Sequence, residues 1–111
     1  MEIQKLWAQI LGVVLLLIGI LGFFGSPILG IFGVDTLHNI VHLVTGAVFA
    51  WAGFMAGAPT RKVNQWVGIV YLLVAVVGFM GWITFMMVDS AGNWLHLVLG
   101  LVTVVIGWFV K

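Results

Sequence analysis

Four apolar runs, separated by short polar or glycine-rich breaks, dominate the 111-residue chain. A helix rises 1.5 Å per residue, so a bilayer core of about 30 Å takes roughly 20 residues to cross. The first run, residues 6–24, has that length. A signal peptide would carry about 7–15 apolar residues and close on small ones. This run is longer and ends in Phe23-Phe24-Gly25, so it is read as a first transmembrane helix. Later helices are expected over about 36–57, about 64–88, and from residues 89–93 to Val110. Gly25-Ser26-Pro27 with residues 30–35, Ala58-Pro59-Thr60-Arg61-Lys62, and Asp89-Ser90-Ala91-Gly92 supply the breaks. Asp35 or Thr36 is placed to cap the second helix, and Asp89, Ser90 or Asn93 the fourth.

The rest of the composition excludes a water-soluble fold. Hydrophobic residues make up 64% and charged residues 6%, against about 45–50% and about 25% in soluble domains. The net charge of +1 gives no basis for binding nucleic acid. The absence of cysteine removes thiolate metal sites, disulfides and cysteine nucleophiles. The expected architecture is an all-α, integral-membrane four-helix bundle in a single domain. Lys5, Arg61-Lys62 and Lys111 fall on one side of it, whereas Asp35 and Asp89 fall in the turns on the other. The positive-inside rule then places both termini and the middle turn in the cytoplasm of a prokaryotic cell.

The two halves repeat. At an offset of 54, Asp35, Asn39, His42, Gly46 and Gly53 map onto Asp89, Asn93, His96, Gly100 and Gly107. At an offset of 56, Gln9, Gly12, Gly22 and Gly25 map onto Gln65, Gly68, Gly78 and Gly81. Each repeat, about 1–57 and about 62–111, is a helical hairpin. Two spans per repeat give both copies the same orientation, which implies a pseudo-two-fold axis along the membrane normal rather than an inverted repeat. Small-residue stripes such as Ala8, Gly12, Gly19 and Gly22 allow close helix packing in lipid, where no hydrophobic effect drives helices together. Trp7, Trp66, Trp94 and Trp108 lie near helix ends as interfacial anchors.

Both copies of the repeated motif read Asn-x-x-His-Leu-Val-x-Gly, at 39–46 and 93–100. Packing in sequence order around a square would bring His42 and His96 face to face across the diagonal, with Asn39 and Asn93 one turn above. His38 stands one turn above His42, where the second repeat has Gly92. The bland reading is a polar clamp of histidine and asparagine between helices two and four, hydrogen-bonded inside the bilayer. The sharper one is a bis-histidine haem b site for electron transfer, with His42 and His96 as axial ligands and Gly46 and Gly100 giving the porphyrin room. A bare metal ion on two histidines would leave the rest of its coordination to water. A third reading is pH response, since two facing imidazoles would repel when protonated. No acidic residue lies deep in a span and no nucleophile has a base arranged beside it, so catalysis is not expected.

The repeated motif resembles that of a family of small bacterial and archaeal four-span membrane proteins known only as a domain of unknown function. The resemblance implies the fold and leaves the activity open. The expected role is a non-catalytic structural or accessory subunit, meeting copies of itself or another membrane subunit inside the bilayer.

Overall fold

A computed structural model describes residues 2–28, 30–84, 86 and 88–111. Four helices follow in order: α1 (Glu2–Phe24), α2 (Thr36–Phe54), α3 (Thr60–Phe79) and α4 (Ser90–Phe109). All four are long and apolar enough to cross a membrane, and the longest dimension of the molecule, 35 Å, matches a bilayer core. Helix α1 packs along α2 and α3 along α4, forming two hairpins. The hairpins meet through α1 with α3, α2 with α3, and α1 with α4. Among the described residues α2 and α4 make no close backbone approach, so they occupy the wide diagonal of the bundle.

The helix starts follow the expected caps. The Asp35 carboxylate accepts from the His38 N–H, and that of Asp89 from the Gly92 N–H, both at 2.9 Å. Each satisfies one of the donors that a first helical turn leaves unpaired. Several boundaries differ from the sequence reading. Helix α1 begins at Glu2, and α3 begins at Thr60 with Pro59 as N-cap. Helix α3 also ends at Phe79, well before residue 88. There Gly81 takes φ +74°, its N–H reaches the Gly78 carbonyl, and the Trp82 N–H reaches that of Val77. This paired closure is the Schellman arrangement that a left-handed glycine permits. Helix α2 likewise stops at Phe54 rather than Gly57.

Burial is inverted relative to a soluble protein. Leucines, valines and tryptophans cover the outside, whereas Gln4, Thr60 and Asn64 are completely enclosed. Only a lipid surround makes that arrangement favourable. The hairpins also repeat their contacts. Gln9 donates to the Gly53 carbonyl as Gln65 does to that of Gly107, each at 2.9 Å. A methyl on Gly12 would meet the Ala50 backbone, and one on Gly68 that of Val104.

One end of the bundle is tied by a polar layer. Gln4 Nε2 donates to the Ile106 carbonyl at 2.6 Å and to that of Val110 at 2.9 Å. Asn64 Nδ2 donates to Gln4 Oε1 at 2.9 Å. Arg61 donates to the carbonyls of Gly107 and Val110 at the end of α4. These bonds bring the start of the chain, the α2–α3 turn and the end of α4 to one face of the bundle.

Candidate histidine site

The asparagines and histidines of the motif sit at the opposite end, in the first two turns of α2 and α4. Their buried positions divide into two stripes. Asn39, Gly46 and Gly53, seven residues apart, face α1: methyls added there would meet Leu15 and Leu16 at Gly46 and Gln9 at Gly53. Gly100 and Gly107 face Leu72 and Gln65 of α3 in the same way. The asparagines belong to this stripe. The Asn39 carboxamide oxygen lies against Gly22, where a methyl would overlap it, and the Asn93 oxygen stands in the same relation to Gly78. Each asparagine therefore packs within its own hairpin, and the two do not meet across the bundle.

The second stripe turns inward. His38 and His42 from α2 and His96 from α4 are all buried, with exposures of 3%, 7% and 6%. The His42 and His96 rings lie 6.4 Å apart, and the His38 ring lies 4.3 Å from the first and 5.6 Å from the second. One ligating nitrogen from each of the three falls within 4.8 Å of the others. His38 is the member that sequence reasoning placed outside the pair. Its opportunity comes from Gly92, which carries no side chain at the equivalent place in α4 and lines the same cavity. In sequence His38 stood one turn above His42 with no counterpart in the second repeat, and only the packing shows it reaching His96.

Tyr71 of α3 completes the wall, its ring 5.6 Å from that of His96. Its hydroxyl is hydrogen-bonded to Thr45 Oγ1 at 2.9 Å. Among the described residues, the buried Nδ1 atoms of His42 and His96 have no hydrogen-bond partner. Two small cavities adjoin the rings. One, of about 20 Å³, is bounded by Leu15, Ile28, Val34 and the three histidines. The other, of about 60 Å³, lies toward α3 and is bounded by the histidines, Tyr71, Val74 and Met86.

The α1–α2 connection forms a roof over the cluster. Ile28 and Val34 in it are buried, and Ile28 pairs with Phe32 in a short bridge. The Gly33 N–H donates to Asp89 Oδ2 at 2.8 Å, which ties the roof of one hairpin to the helix cap of the other. The apolar character of this segment was visible in the sequence. Its partner was not.

The residues do not fit a haem. The cavity between the rings holds about one or two waters by volume, and Gly46 and Gly100 abut α1 and α3 instead of leaving space beside the histidines. What the site offers is three buried imidazoles converging on a space of single-ion or single-water size.

The fold and this buried polar centre define a small four-span helical membrane protein. The chain belongs to the family of the domain of unknown function DUF4383, whose family model matches residues 5–109. Neither a search of curated proteins nor one of solved structures gives a match.

Proposed function

We propose that the protein is a non-catalytic integral membrane unit, a structural or accessory subunit, in which the histidine layer clamps α2 to α4. One observation carries this reading: α2 and α4 make no close backbone approach among the described residues, yet His42 and His96 place their rings 6.4 Å apart. Side chains, rather than backbone packing, bridge that diagonal. Most other buried polar groups are likewise engaged in joining helices, as with Gln4 and Asn64, Trp7 Nε1 and Thr103 Oγ1, or Thr60 and the Ala52 carbonyl. The two repeats, about 1–57 and 62–111, act as halves of one domain. The protein resides in a prokaryotic cytoplasmic membrane with both termini inside, and it meets further copies or another membrane subunit within the lipid. A haem-based alternative has no observation in its favour.

The test is thermal unfolding of the metal-free protein in mild detergent with a chelator present, for wild type and the double variant His42→Ala/His96→Ala. Polar contacts between membrane helices contribute about 0.6 to 2 kcal/mol. The variant is expected to unfold several degrees lower. An unchanged midpoint would overturn the clamp.

A further inference from the structure

We propose that His38, His42 and His96 together bind one copper(I) ion, with Met86, which lines the adjoining cavity, as its soft neighbour. The proposal rests on the clamp reading, because it takes the histidine layer that joins the hairpins as the ligand set.

Three observations lead to it. First, the ligating nitrogens already lie within 4.8 Å of one another. Around one ion at a metal–nitrogen distance of about 2.0–2.1 Å they need to stand about 3.4 Å apart, a closure that side-chain rotation into the neighbouring space supplies. Second, among the described residues the buried Nδ1 atoms of His42 and His96 have no hydrogen-bond partner. A buried polar nitrogen left unpaired carries a cost, and a metal ion or a water removes it. Third, the space is small, about 20 Å³ beside the rings. That admits an ion and excludes an organic cofactor.

The identity of the ion follows from charge and donor type. Imidazole binds zinc, copper, nickel and iron, whereas thioether sulfur selects copper(I) among them. Met86 and the three histidines bound one cavity. Imidazole ligands carry no negative charge of their own to offset that of the ion. The solvation cost of a buried ion rises with the square of its charge, so a monocation is much cheaper there than a dication. Three-coordinate nitrogen ligation with a soft neighbour suits copper(I).

The experiment is an anaerobic titration of the full-length protein in detergent with copper(I), against a bicinchoninate competitor, and in parallel with zinc(II). Copper X-ray absorption on the loaded sample supplies the ligand set. The expected result is one copper per chain, nitrogen neighbours near 2.0 Å, and affinity at least about tenfold weaker in His38→Ala, since losing even an outer-shell partner of a metal site costs about tenfold or more. Met86→Leu keeps the packing volume and is expected to weaken copper(I) binding without lowering the unfolding midpoint of the metal-free protein. Zinc bound in preference to copper would overturn the assignment, as would an unchanged affinity in His38→Ala or no binding by folded protein. Failure of the clamp appears separately, in the unfolding of the metal-free His42→Ala/His96→Ala variant.

Discussion

Gly12 shows how little slack this bundle has. A methyl group there would stand 2.5 Å from the Ala50 backbone nitrogen and 2.7 Å from its Cα. Neither atom can turn aside, so the hairpin must open. Gly12→Ala is expected to cost about 1–3 kcal/mol, the usual range for overpacking, measured as a lower unfolding midpoint in detergent. Gly25→Ala, with no atom within reach of the added methyl, is the control and should leave the midpoint in place. At this scale the sequence was informative about which residues are buried and less so about what they touch. A spacing of three and four marks one broad face of α2, yet that face serves two neighbours. Asn39, Gly46 and Gly53 look toward α1, while His38, His42 and Thr45 look toward the bundle centre. The split is a matter of tens of degrees around the helix axis, finer than an apolar pattern specifies. For that reason the sequence grouped the glycines with the histidines, and a porphyrin pocket followed from the grouping.

Helix ends were legible where a side chain does the capping and obscure where the backbone does. Asp35 and Asp89 stood out as caps, and both accept from the third residue beyond them. The end of α3 depends on the backbone at Gly81, which in sequence is one of many glycines in an apolar stretch. One cap also holds more than its own helix. Asp89 takes a second bond from the Gly33 N–H in the roof above the histidines. Asp89→Ala should therefore cost more than the typical ~1 kcal/mol of a lost N-cap. Its further sign would be faster hydrogen exchange at Gly33 and Val34, read by mass spectrometry. Normal protection there in the variant would show the roof to be held by its own packing. At the other end, Gln4 and Asn64 form a pair that no repeat relation announced, because offset 56 matches Gln4 with Thr60 and Asn64 with Ala8. A double-mutant cycle with Gln4→Leu and Asn64→Leu should give a coupling of about 0.6 to 2 kcal/mol. Additive effects would mean that the two amides act on separate partners.

The architecture of the whole molecule was the most legible part, because four spans and two hairpins follow from length, apolarity and turn placement alone. The bonds from Gln4 and Arg61 to the last turn of α4 gather Lys5, Arg61-Lys62 and Lys111 at one end of the bundle. The absence of native cysteine makes the orientation directly measurable. Single cysteines at Ala56 and Lys111 should be shielded from a membrane-impermeant maleimide in intact cells, and one at Gly25 should be labelled. The reverse pattern would place the basic end outside and remove the positive-inside argument.

Position 38 and its counterpart, position 92, carry a histidine in one half and a glycine in the other. Two identical hairpins paired about an axis are bound to present everything there in duplicate: two rings, or two empty places. Joining the halves in one polypeptide lifts that obligation. It allows an odd number of rings where a symmetric pair would set an even one, and His38, His42 and His96 do stand together as three.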